Sequence, residues 1–272
     1  RGAEAGVTPL SLSFEYEDVM IERGSYYSIV GEGDQLVTGS RPSVPRTTVA
    51  LTSEEIAHGV LMVGGTFTDI DSFDPVVSGI ITEENYLEVE NNYPVGRWYP
   101  VLPNTINRLL TVDGVFEQNL VVVPGQFLAD PTSTPTVGTM RLYSTLDVEI
   151  YTSAVGETDF DPPKVYNVKA TTTESEVTFS VEVTDTSSIE RVLVLYRSTE
   201  DGSWSSVDLT YDAGTETAVG SAELPFGPSE YFVQAVDAAG NVALVLKHGV
   251  MFTFNGTGTR TYTIHLPLAV TE

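Results

Sequence analysis

Residues 230–241 read EYFVQAVDAAGN, a run with the period of two expected of a strand, which then stops at Asp-Ala-Ala-Gly-Asn. Gly240 and Asn241 tolerate positive φ, and the Asp237 carboxylate can accept backbone donors inside the turn, so the segment reads as a strand closing into a hairpin. A cation site using Asp237 is the alternative reading of the same five residues. Working outward, EVTFSVEVTD (176–185) sets Val177, Phe179, Val181 and Val183 against Thr178, Ser180, Glu182 and Thr184. RVLVLY (191–196) is apolar on both faces, as a central strand requires, and DGSW (201–204) is a hairpin signal leading into SVDLTY (206–211). From Val165 onward the strands and turns follow at the spacing of a β-sandwich.

The same stretch resembles the last hairpin of immunoglobulin-like and fibronectin type III-like domains of bacterial extracellular proteins, and PPKVYNVKA (162–170) fits the opening of such a module. The resemblance covers nearly all of residues 162–254. It implies that Tyr231 pins a loop and that Asp237, Gly240 and Asn241 close the hairpin.

The first half also alternates. LSLSFEYED puts Leu10, Leu12, Phe14 and Tyr16 on one face, and TMRLYSTLDVEIY does so with Met140, Leu142, Leu146, Val148 and Ile150, leaving Arg141, Asp147 and Glu149 on a face expected to be wet. TSEEIAHGVL (52–61) is readable either as a short helical turn capped by Ser53 or as the lead into a strand. RPSVPRTTVAL (41–51), ENNYPVGRWYP (90–100) and the segment 120–151 occur in an order that resembles the propeptide of gingipain-type cysteine peptidases over about residues 10–152. That likeness implies a secreted β-sandwich able to dock on another protein. With no cysteine in the chain, the thiol nucleophile of that family has no counterpart here.

The expected fold class is therefore all-β, with two β-sandwich domains in tandem, residues 1–158 and 164–255, separated at the acidic, proline-stiffened GETDFDPPKV. Residues 256–272 follow as a linker and one extra strand in which Tyr262, Ile264, Leu266 and Leu268 alternate with polar residues and Pro267. A lone strand is unstable in water. It either folds back onto its own chain or completes a neighbour's sheet, the strand-addition mode of pilus subunits. An arginine at position 1 suits release by trypsin-like processing.

Thirteen basic and 38 acidic residues give a net charge of −25, with only three lysines, so nucleic acid is a poor partner and cations are favoured ones. The longest apolar runs, LVVV (120–123) and VALVL (242–246), are far shorter than a membrane-spanning helix. Without cysteine there are neither disulfides nor thiolate metal sites.

No catalytic motif emerges. His58, His248 and His265 are the only histidines, each in or beside a strand-like run and each expected to be packed or solvent-facing, and no Gly-x-Ser-x-Gly elbow is present. Asp69, Asp71 and Asp74 are close enough to share a calcium ion, but the pattern departs from an EF-hand and also fits a solvated acidic turn. Tyr93, Trp98 and Tyr99 suit packing at a seam or interface, with sugar stacking as the alternative. Asn255-Gly256-Thr257 is a glycosylation sequon. The expected function is a non-enzymatic secreted or cell-surface bacterial protein, a structural or filament subunit acting by contact with its own copies or another extracellular protein. The alternatives are a prodomain or inhibitor-like module of a secreted peptidase system, or a glycan-binding module.

Overall fold

The computed structural model describes residues 6–22, 24–31, 34–39, 41–52, 54–78, 96–110, 112–113, 116–131 and 137–257. The first half contributes β1 (Gly6–Ser13), β2 (Tyr16–Ile21), β3 (Gly24–Ile29), β4 (Gln35–Leu36), β5 (Arg41–Pro42), β6 (Val44–Pro45), β7 (Thr47–Ala50), β8 (Glu55–Phe73), β9 (Val77–Ser78), β10 (Trp98–Tyr99), β11 (Asn104–Leu110), β12 (Phe116–Val122), β13 (Gly125–Ala129) and β14 (Gly138–Ala154). The second contributes β15 (Lys164–Thr172), β16 (Glu176–Thr184), β17 (Ile189–Ser198), β18 (Ser203–Asp212), β19 (Thr217–Glu223), β20 (Phe226–Asp237), β21 (Val242–Val245) and β22 (Phe252–Thr257). The fold is all-β, and the stretch at 52–61 that also admitted a helical turn enters strand β8 at Glu55.

The long antiparallel pair β8–β14 is the spine of the first half, running from Glu55↔Ala154 to Phe73↔Gly138 through four register shifts. Strands β1 and β13 add one after the other along the free edge of β14. In the second half, β15, β16 and β19 form one sheet, and β18, β17 and β20 form the other, with β21 and β22 sharing the far edge of β20. Strand β18 pairs first with β17 and then, from Thr210, with β19, so it passes between the two sheets. Gly256 and Thr257, expected in a linker, belong to β22, where they oppose Gly227 and Phe226.

The two-faced apolar pattern of β17 and β20 has a direct packing cause. Val192, Val194, Tyr231, Val233 and Ala235 point into the core between the two sheets of the second half. Leu193, Leu195, Phe232 and Val236 point the other way, into a core shared with Leu61, Met62, Phe67, Tyr143 and Leu146 of the first half. Of the β14 residues expected on a wet face, Arg141 is only 1% exposed, while Asp147 and Glu149 stay half-buried. Ser203 and Trp204 of β18 also pair with Thr66 and Gly65 of β8, so backbone hydrogen bonds cross the same seam.

Close approach along the seam requires small or fully satisfied groups. At Gly59 a Cβ would run into the side chain of Val242. Gln234, buried among apolar neighbours, makes a reciprocal pair with Met62, accepting from its N–H at 3.0 Å and donating to its C=O at 2.7 Å. A buried amide is tolerated only when its donor and acceptor are met in this way. Because one apolar cluster draws on both halves, urea unfolding followed by tryptophan fluorescence should give a single transition. Phe232→Ala should lower the unfolding free energy by about 3–5 kcal/mol without splitting that transition.

Candidate functional site

The polar groups with chemical potential gather along the seam in two clusters. The first is built on the turn after β20. Asp237 is fully buried, and its Oδ1 accepts the N–H groups of Ala239 (3.0 Å) and Asn241 (2.8 Å) while Oδ2 accepts Asn241 Nδ2 (2.9 Å). Gly240, at φ 91°, supplies the left-handed residue that lets the chain return to β21. Asn241 Nδ2 also faces the carbonyls of Asp159 and Asp161 at 3.2 and 3.4 Å, tying down the connection between the halves.

The orientation of Asn241 sets which ring nitrogen of its neighbour donates. Since a carboxylate only accepts, the amide nitrogen must face Asp237, which leaves Oδ1 facing His58 Nδ1 at 2.9 Å. His58 Nδ1 therefore carries a proton and donates it, and in the neutral ring Nε2 receives the hydroxyl of Ser153 at 2.6 Å. Phe160 stacks on the imidazole at 4.7 Å, and the Arg108 guanidinium lies over the Phe160 ring at 5.4 Å.

The order Ser153, His58, Asn241, Asp237 is that of nucleophile, base and orienting groups. Ser153 is 6% exposed and sits within β14, whereas His58 and Arg108 line a cavity of about 220 Å³. Burial pushes the Asp237 carboxyl above its ordinary range, opposed by the Asn241 hydrogen bonds and reinforced by Asp185 and Asp159. Ligand oxygens of Asp159, Asp185 and Asp237 lie within 4.8 Å of one another, so these are the acids among the described residues that could hold one metal ion.

The second cluster is a stack of alternating rings and guanidinium groups. Arg141 lies over Trp98 at 4.0 Å and over Phe67 at 3.9 Å, and Arg197 lies over Phe67 at 4.8 Å and over Trp204 at 5.4 Å. Trp98, Arg141 and Phe67 come from the first half, Arg197 and Trp204 from the second. Asp69 binds Arg141 with two contacts of 2.8 Å, and Glu230 accepts from Arg197 Nε at 2.9 Å with Nη2 at 2.7 Å. The remaining nitrogen of Arg197 donates to the carbonyls of Ser198, Thr199 and Asp201. Burial, and then the charge of Arg141, lowers the pKa of Arg197. Carboxylates and ring faces are what hold both guanidinium groups charged inside the seam.

The residues singled out from sequence are distributed accordingly. Asp69 serves Arg141, Asp71 accepts from Thr139 at 3.0 Å, and the Asp74 carbonyl accepts from Ser25 N. Trp98 has a face covered by Arg141, and Tyr99 lies under Arg41 at 5.5 Å. The Tyr231 ring is buried among Phe179, Phe252 and Phe254. Asn255 is exposed on β22, and His248 occupies a positive-φ turn position. Ser53, Tyr93, Tyr262, Ile264, His265, Leu266 and Leu268 lie outside the described residues. Sequence reasoning passed over Ser153, Arg197, Asp159 and Asp185. A signal for Arg197 existed in its place at the end of an otherwise apolar strand; nothing local marked Ser153.

No family model matches the chain, and no curated protein matches it. Among solved structures it is similar to a chain described as the complex of Porphyromonas gingivalis RgpB pro- and mature domains. The likeness has 20% identity and a TM-score of 0.38, covering 57% of this chain and 84% of that one.

Two outcomes test the seam. Glu230→Gln removes the carboxylate beside two buried guanidinium groups and should cost about 3–5 kcal/mol in urea unfolding, with Glu174→Gln as an exposed comparison. Burial raises the Tyr231 hydroxyl from 10 to about 12 and also raises Tyr143 and Tyr151, so the fold holds these protons more tightly than the unfolded chain does. Stability should be full below pH 10 and fall as pH rises toward 12; in Tyr231→Phe the fall should be shallower by about 1.4 kcal/mol per pH unit between the two pKa values.

Proposed function

We propose that this chain is a non-catalytic contact module of a secreted or cell-surface system, working through its surface and through strand addition by residues 258–272. The reading rests on one observation: the histidine, serine and arginines that reach the interior are engaged in joining the two halves. His58 and Ser153 secure the connection, and Arg141 and Arg197 fill the ring stack.

The edge strands bear on how such a module associates. The free edge of β20 is occupied by β21 and β22, separated by a turn at Lys247–Val250 that interrupts the straight edge. Such interruptions discourage indiscriminate pairing. Strand β22 runs through Thr257, and the 15 residues after it carry the alternating Tyr262, Ile264, Leu266 and Leu268. A partner strand of that pattern offers one apolar face and a full ladder of backbone donors and acceptors.

Truncation after Thr257 spares β22 and isolates this contribution. Light scattering and electron microscopy of the whole chain should show assemblies that the chain ending at Thr257 does not form; identical monomers for both would refute strand addition.

A further inference from the structure

Between the turn joining β17 to β18 and the link from β19 to β20 lies an open cleft of about 340 Å³. Its walls include Tyr196, Ser198, Asp201, Ser205, Glu223 and Phe226. Tyr196 is partly buried against Phe179, and Phe226 remains 42% exposed. Arg197 forms part of the lining, but its nitrogens are already engaged by Glu230 and the three backbone carbonyls.

Two acids of this cleft, Asp201 and Glu223, have no ion-pair partner among the described residues. Glu223 lies directly opposite Glu176 in the β16–β19 ladder, on the same face of the sheet. Like charges so placed are destabilising. Neither of them, nor Asp201, forms an ion pair among the described residues, whereas Asp69, Glu149, Asp208 and Glu230 each do. Tyr196 and Glu223 line the same cleft, and burial, then the charge of Glu223, raises the pKa of the Tyr196 hydroxyl.

We propose that this cleft receives the side chain of a lysine or arginine from a protein partner. This rests on the reading of the chain as a contact module and names the chemistry of what it contacts. The rings of Tyr196 and Phe226 offer an apolar wall to the stem and π faces to the cationic head. Asp201 and Glu223 neutralise the head, and docking it relieves the repulsion between Glu223 and Glu176. The net charge of −25 draws a basic partner toward the surface from a distance, while the cleft decides where it seats.

The test is a titration of the whole chain with hexa-arginine, followed by amide NMR, with hexaglutamate and maltohexaose as comparison ligands. Shifts should centre on Ser198, Asp201, Ser205, Glu223 and Phe226. Asp201→Asn combined with Glu223→Gln should weaken binding at least about fivefold, as expected for losing two partly exposed charge contacts. Glu17→Gln with Asp18→Asn removes the same charge from exposed positions on β2 and should change it less than about twofold. Equal weakening in both double variants would mean diffuse attraction and would overturn the proposal. So would shifts centred elsewhere, no binding, or the same shifts with maltohexaose. Cleft binding by a chain that never assembles would remove strand addition and leave the cleft standing.

Discussion

The β17–β20 pair is buried on both faces, and the arrangement of the rest of the molecule follows from that. One face closes a sandwich with β15, β16 and β19; the other, through Leu193, Leu195 and Phe232, must be kept from water by something outside that sandwich. The long β8–β14 pair provides the cover. In doing so it takes an arginine of β14 into the interior and brings Gly59 against Val242.

Covering a sheet with another sheet brings backbone and side-chain polar groups into a dry space, where each must find a partner. The structure meets this by reciprocity: Gln234 with the Met62 peptide, Asn241 with Asp237 and His58, Trp204 Nε1 with the Tyr143 hydroxyl at 3.2 Å. The guanidinium groups of Arg141 and Arg197 are the most demanding guests. Two like charges sharing the Phe67 ring would repel, and Asp69 and Glu230 offset that repulsion while the flat faces stack. Such a seam resists sliding, because a shift of one residue would misalign every pair at once.

His58 stacks on Phe160 and lines a cavity of about 220 Å³, while the serine it serves is buried. The surface that remains is acidic and carries a few rings, Phe226 among them.

Local periodicity was enough to give strands, turns and the all-β class, because alternation and the Asp237–Asn241 turn depend only on neighbours in the chain. RVLVLY even announced a strand dry on both sides. What covered its second face could not be read, since Leu193 and Leu61 are 132 positions apart and nothing in either segment names the other. The same distance hid the ring stack, whose members come from five separate strands, and the link between Ser153 and Asn241 through His58. Sequence by itself determined which residues alternate and where the chain turns. Only the tertiary structure decided which alternating face is wet, because burial is a property of two surfaces meeting and a sequence pattern describes one.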